Sequence, residues 1–414
     1  MLRDGMRVLA SAYACDPHRG SEPGVGWKWA FEIAKRGHPV WIITRRKNAP
    51  IIRDYVEGLD SVEIDVIAYD LPHWMRWWKR GARGVQVYYA LWQIGAFFCA
   101  RAWHRRIQFD VVHHLTFGVF RTPGWMWMLG IPYVLGPIGG AEMAPKPLTR
   151  SFRRSAQLIE AVRRIANRFA LLDPSLIGAL RRARWVYACT RETRAYLPKR
   201  FQSKIDIEPI IGADSPKPLL PAPPSEAGEL NLLFVGRLIH WKGCAFALRA
   251  VARARQEQPG IRLTVLGKGR EEPALRALAE ELGITAAVTW INWIEEDELD
   301  ALYQRSHALV FPSLHESGGL VVFEALQRGV PVMCMDIGGP AMHINRQRGA
   351  CIPVEGRSEE QVVEDMASTL SDWAHDPESL GALRQGCHDY CSDHQWAVKV
   401  ERVYRRIEDE LEVR

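Results

Sequence analysis

The sequence predicts an α/β chain of two Rossmann-like domains whose parallel sheets face a central cleft. Two observations carry that prediction. Short β-branched or apolar runs alternate with longer helical patterns in both halves, the rhythm of parallel strands joined by helices on both faces of a sheet. Between the halves, residues 209–224 read PIIGADSPKPLLPAPP, a Pro-dense stretch without periodicity that suits a linker. The division that follows is an N-terminal domain over 1–208, a linker over 209–229, a C-terminal domain over 230–390 and a terminal helix over 391–414.

In the first half the strand candidates are MRVLASAY, PVWIITR, VEIDVIAY, FDVVHHLTF, PYVLGPIG and WVYACT, with a helix over residues 27–36 after the first. In the second half NLLFVG, IRLTVLG, AVTWIN, ALVFPS and VPVMCMD alternate with helices over 243–256, 271–282, 296–305 and 319–328. Ligands of open α/β sheets bind beyond the carboxyl ends of the strands, so the residues just after each strand should carry the chemistry. The longest apolar run, VQVYYALWQIGAFFCA at residues 85–100, is shorter than the roughly 20 apolar residues a spanning helix needs. It should not cross a bilayer.

The 414 residues are 47% hydrophobic and 25% charged, a globular balance that excludes disorder, collagen and a coiled coil. Eight scattered Cys form no CxxC pair, which suggests neither a zinc site nor a secreted disulfide framework. A reducing cytoplasm is the expected compartment. Two Arg and an Asp interrupt the apolar residues of MLRDGMRVLASAYA at 1–14, so no cleavable leader is expected. The formal charge of +6 conceals a polarity: residues 1–214 hold 33 Lys and Arg against 18 Asp and Glu, and residues 215–414 hold 21 against 30. The two halves should therefore meet different partners, the basic one nucleic acid, anionic lipid or an acidic acceptor.

The strand NLLFVG runs into Arg237-Leu-Ile-His-Trp-Lys242-Gly243 and then a helix. Two cations and a glycine at a βα turn make an anion site of a size that suits a diphosphate. About eighty residues on, ALVFPS leads into Leu314-His-Glu316-Ser317-Gly318-Gly319-Leu320-Val-Val-Phe-Glu324. This places one carboxylate in a loop and another inside the next helix, with glycines between them that let backbone amides approach a ligand. Carboxylates are strong acceptor-only groups and suit polyhydroxylated ligands such as a sugar and a ribose.

GRLIHWKG, VLGKG, FPSLHESGGLVVFEALQRGVPV and DIGGPA, in this order and spacing, resemble the donor-binding half of a GT-B glycosyltransferase of family 4, strongly over residues 230–355 and by architecture elsewhere. The resemblance implies that Arg237 and Lys242 hold the diphosphate of a nucleotide sugar, that Glu316 contacts the donor sugar, and that Glu324 holds the ribose. It implies also that main-chain groups of Gly318, Gly319 and Leu320 approach the sugar and phosphate, beside Ser317. Ser317-Gly318 departs from the bulkier residue that many relatives place before the glycine. By the same resemblance, the helix over residues 396–411 crosses back onto the first domain.

Three first-half segments complete the expected site. Gly20-Ser-Glu-Pro-Gly24-Val-Gly26-Trp after the first strand resembles the family's Gly-rich first loop, where Gly26 would approach the diphosphate and Gly24 the acceptor. FDVVHHLTF brings His113 and His114 to the end of a strand; relatives carry a donor-contacting His near this point, and which of the two acts is open. Gly136-Pro-Ile-Gly139-Gly140-Ala-Glu142 would line the acceptor side, with Glu142 as a hydroxyl acceptor.

No Asp-x-Asp occurs, so no metal is expected and Arg237 and Lys242 would neutralise the leaving group directly. No resident cofactor is expected either. The resemblance implies a retaining transfer from a UDP- or GDP-sugar to a lipid-linked or saccharide acceptor. Trp74-Met-Arg-Trp-Trp-Lys-Arg80 with Arg150, Arg153, Arg154, Arg163, Arg164 and Arg168 suggests peripheral attachment to anionic membrane; no nucleic-acid partner is expected. Two other readings use parts of the same sequence: a GT-B sugar-nucleotide epimerase, which shares the nucleotide site, and a non-enzymatic basic adaptor, which has no need of Glu316 and Glu324.

Overall fold

The computed structural model describes residues 5–59, 61–75, 84–215, 219, 221–223 and 226–412. Contacts divide them into two compact units, each with a parallel sheet, as the alternation of strand and helix patterns predicts.

The first unit carries seven strands: β1 (Val8–Ser11), β2 (Val40–Thr44), β3 (Ile64–Ala68), β4 (Val111–His114), β5 (Tyr133–Ile138), β6 (Trp185–Ala188) and β7 (Ile205–Ile207). Their order across the sheet is β3-β2-β1-β4-β5-β6-β7, and the pairs β1/β2 and β1/β4 run parallel. Every residue of β1, β4 and β5 is buried, the pattern of strands covered by helices on both faces. Tyr88, Trp92, Val112, Tyr133 and Val186 join in its core.

The C-terminal helix Trp396–Glu412 belongs to this unit. Trp396, Val400, Val403, Tyr404 and Ile407 form its buried stripe at helical spacing, and it lies against the helix Ser21–Lys35. Arg36 Nη2 donates to both carboxylate oxygens of Glu408, at 2.9 and 3.0 Å. Lys399 is buried beside Glu208 at 3.2 Å.

The second unit carries β8 (Glu229–Val235), β9 (Gly260–Leu266), β10 (Val288–Ile291), β11 (Ala308–Phe311), β12 (Val332–Met335) and β13 (Gly349–Ile352), ordered β10-β9-β8-β11-β12-β13. Leu232, Phe234, Phe246, Val265, Val310 and Met333 anchor its core. The order reverses between β8 and β11, and the switch point beyond the carboxyl ends of these two neighbours is the usual ligand position of such a sheet.

One boundary differs from the sequence-based division. Glu142–Arg164 belongs to the second unit, because Ala144 and Leu148 are buried in that unit's core with Phe152 packed against it. Among the described residues no helix is long and apolar enough to cross a membrane.

Candidate functional site

The loop after β8 and the loop after β11 meet where the sheet order reverses. Lys242 closes the first loop and forms an ion pair with Glu316 of the second, and its ammonium lies 4.9 Å from the centre of the Phe311 ring. Trp241 and His315, the residues just before this pair, stack with ring centres 4.9 Å apart. Arg237 stands exposed at the start of the first loop. The loops thus bring together the cation and the carboxylate that the sequence placed seventy-four residues apart.

Glycines make this approach possible. Gly243 has φ +74°, and a Cβ there would stand 2.0 Å from the Pro312 carbonyl oxygen. Gly338 and Gly339 back the second loop so closely that a Cβ would lie 2.4 Å from the Glu316 carbonyl oxygen and 2.5 Å from that of Ser317. The Gly339 N–H donates to the Glu316 carbonyl at 2.8 Å. Gly319, at φ +83°, turns the chain into the helix Leu320–Gln327, whose start has no side-chain cap. The first amides of this helix and its dipole therefore lie beside Glu316, Ser317 and the buried Gly318.

Glu324 lies on that helix. It accepts from the Tyr303 hydroxyl at 3.2 Å, and the Arg328 guanidinium sits 5.0 Å over the Tyr303 ring while pairing with Asp300. Burial pushes the Tyr303 hydroxyl well above its usual pKa, with the Glu324 charge adding to the effect, so it remains a donor. Nothing in residue spacing marked Tyr303, which reaches Glu324 from the preceding helix.

A second set of partners comes from Glu142–Arg164. Glu142, expected on the acceptor side, is buried and accepts from the Ser317 hydroxyl at 2.7 Å; it supports the loop that carries Glu316. Glu160 is buried with one oxygen 3.4 Å from His240 Nε2 and 3.9 Å from His315 Nε2. Arg270 donates to His240 Nδ1 at 3.0 Å, which leaves Nε2–H to face Glu160. Burial would raise the Glu160 carboxyl, but the His240 hydrogen bond and the nearby Arg163 charge hold it below the usual range. Burial drives His315 down to about 3, and Arg163 pushes the same way. No motif or spacing marks Glu160, whose partners lie 80 residues and more away.

The first-half expectations fare differently. His113 is fully buried inside the first unit, where Nε2–H donates to the Gly136 carbonyl at 2.7 Å and Nδ1 accepts from the Tyr404 hydroxyl at 3.1 Å. Both nitrogens are engaged, which corrects the expectation that this ring faces a ligand. His114 is equally buried, with neither nitrogen hydrogen-bonded among the described residues. Burial lowers the two rings to about 3 and about 4 respectively, so both are neutral.

Gly24 and Gly26 lie inside the helix Ser21–Lys35, not in a loop before it. A Cβ at Gly24 would stand 2.2 Å from the Arg19 carbonyl oxygen, and one at Gly26 would stand 2.4 Å from that of Ala14. Their lack of a side chain serves the packing of this helix on its own chain. Gly139 donates to the Gly118 carbonyl at 2.6 Å, and the Gly140 carbonyl accepts from Asn167 at 3.2 Å, a tight turn beside β5. Of the aromatic and basic stretch, Trp74 is exposed, while residues 76–80 lie outside the described residues.

Comparison with known proteins agrees with the second unit's geometry. Residues 220–383 match the family model described as Glycosyl transferases group 1. The glycogen synthase of Mycobacterium tuberculosis is 34% identical over 171 residues, covering 41% of this chain and 40% of that protein. This chain thus spans about two fifths of the length of such curated relatives. Among solved structures, sucrose-phosphate synthase from Thermosynechococcus elongatus is similar with a TM-score of 0.64 at 16% identity, over 99% of this chain and 100% of that one. Anabaena HepE in complex with UDP and glucose gives 0.60 at 14% identity, over 98% of this chain and 100% of that one. These likenesses establish the GT-B fold.

Proposed function

We infer from the match of residues 220–383 to the group 1 glycosyltransferase family model that this chain transfers a sugar from a nucleoside diphosphate to a hydroxyl of a lipid-linked or saccharide acceptor, with retention of configuration. The observation that carries the reading is the Lys242–Glu316 pair at the crossing of two strand-following loops, with Arg237 at its edge and Glu324 one helix turn on. A cation paired with a carboxylate is held where an incoming diphosphate takes over the cation and a sugar hydroxyl takes over the carboxylate. The UDP seen in Anabaena HepE favours a nucleotide donor for this chain too.

Each residue then has a task. Arg237 and Lys242 neutralise the diphosphate, joined by the dipole of the helix that follows Gly319, and so stabilise the charge that grows on the leaving group. That task needs no metal ion. Glu324, oriented by Tyr303, accepts from the ribose hydroxyls, and Glu316 with Ser317, Gly318 and Gly319 fixes the sugar. The acceptor oxygen bonds to the anomeric carbon on the face from which the diphosphate departs; the carbon–oxygen bond to phosphate breaks, and the hydroxyl proton passes to the departing phosphate oxygen. Incubation with UDP- and GDP-sugars tests the reading: slow release of free sugar and nucleoside diphosphate supports it, and an unaltered donor with either nucleotide removes it.

A further inference from the structure

The helix Arg154–Ala170 is amphipathic in the reverse sense. On a water-facing helix the apolar stripe turns inward and the polar residues turn out. Here the polar residues turn in: Glu160 and Asn167 are buried, with Glu160 against His240 and Asn167 donating to the Gly140 carbonyl. The half-buried Arg163 and Arg164 reach His315 and the Ala144 carbonyl. The apolar residues turn out. Leu158 is 66% exposed, Val162 56%, Ile165 55%, Phe169 68% and Leu172, just past the helix, 76%. These five recur at i, i+4, i+7, i+11 and i+14, which is one continuous stripe. A contiguous exposed apolar stripe of this length marks an interaction surface.

Charge identifies what it meets. Lys146, Arg150, Arg153, Arg154 and Arg168 are exposed along and before the helix. Glu160 is the one carboxylate between residues 143 and 172, and it is buried. Arg153 lies 3.8 Å from Glu271, but a second copy of the stripe would still bring Arg154 and Arg168 against arginines, with no exposed carboxylate of this segment to offset them. An anionic surface with an apolar interior satisfies both features, because the stripe enters the acyl boundary while the guanidinium groups stay among the headgroups.

We propose that the helix Arg154–Ala170 and Leu172 form a membrane-docking surface that lies flat on an anionic lipid bilayer. The proposal deepens the transferase reading, on which it rests only in giving a lipid-linked acceptor a place to be met. Its test therefore uses no nucleotide sugar.

The full chain is co-sedimented with vesicles of equimolar phosphatidylglycerol and phosphatidylcholine, and with phosphatidylcholine alone. Binding is expected to the anionic vesicles, to weaken as salt rises, and to fall at least about tenfold in the triple variant Val162→Ser, Ile165→Ser, Phe169→Ser. These side chains are exposed, so the variant should keep its far-ultraviolet circular dichroism; if it does not, the same comparison is made with Phe169→Ser alone. The triple variant Val87→Ser, Ile94→Ser, Phe98→Ser, which alters exposed apolar residues of another helix, should bind as the parent does. Absence of binding at low salt, equal binding by parent and the residue 162/165/169 variant, or loss of binding only in the residue 87/94/98 variant overturns the proposal. A dimer in sedimentation velocity that the residue 162/165/169 variant converts to monomer also overturns it, and assigns the face to a second copy of the chain.

Discussion

The Ser317 hydroxyl donates to the Glu142 carboxylate at 2.7 Å. Glu142 thereby steadies the loop that carries Glu316 from 175 residues earlier in the sequence, at the end of a first-half glycine turn. A hydrogen bond to a charged group contributes about 1.5–3 kcal/mol. Glu142→Ala should raise the KM for donor hydrolysis about tenfold or more with the fold retained, whereas Glu142→Gln, which still accepts from Ser317, should recover most of the loss. Equal kinetics in the parent and Glu142→Ala would remove Glu142 from the donor loop.

Lys242 and Glu316 are paired with each other, yet their tasks separate once a donor is present. Lys242→Ala should lose nucleoside diphosphate affinity and turnover together, because the cation that meets the diphosphate is gone. Glu316→Ala should abolish transfer while still binding UDP, since its contact is with the sugar. Calorimetric titration with UDP and with UDP-sugar distinguishes the two, and equal losses of UDP affinity in both variants would contradict the assignment.

Tyr303 orients Glu324 through a 3.2 Å hydrogen bond. Tyr303→Phe keeps the buried ring and removes only the hydroxyl, so the cost is that of one hydrogen bond, about 1 kcal/mol. Affinity for UDP should fall about fivefold, and affinity for inorganic diphosphate, which has no ribose, should not change. A matching fall for diphosphate would show that Tyr303 acts on the whole loop.

Burial holds His113 at about 3 and His114 at about 4, against about 6.5 in an unfolded chain. Below about pH 6.5 the unfolded chain takes up protons that the folded one refuses, so stability is full above that pH and falls as the pH drops toward 4. Each ring contributes a slope of up to about 1.4 kcal/mol per pH unit. Urea unfolding between pH 7 and 5 should show this decline, and His114→Phe should flatten it by about that amount. An unchanged slope would place the acid sensitivity elsewhere.

Strand-following loops were legible because their chemistry is local: a βα turn with Arg237, Lys242 and Gly243 declares itself within seven residues. The start of the first helix is also written locally, in Ser21-Glu22-Pro23, since Pro and an acidic residue suit a first turn; Gly24 and Gly26, poor helix formers, follow it inside the helix. His113 and His114 are adjacent on β4 and so point to opposite faces, but only the tertiary structure brings Gly136 and Tyr404 to the first and, among the described residues, no hydrogen-bond partner to the second. Glu160 and Tyr303 act over distances in sequence that carry no spacing rule. The helix Arg154–Ala170 shows a further limit: periodicity separates an apolar face from a polar one, and packing decides which of them is buried.

The most direct measurement is a crystal structure of the chain with an intact UDP-sugar. The account predicts the diphosphate between Arg237, Lys242 and the start of the helix Leu320–Gln327, the ribose hydroxyls on Glu324, and the sugar against Glu316, Ser317, Gly318 and Gly319. A donor bound away from these loops, with Lys242 still paired to Glu316, would contradict it.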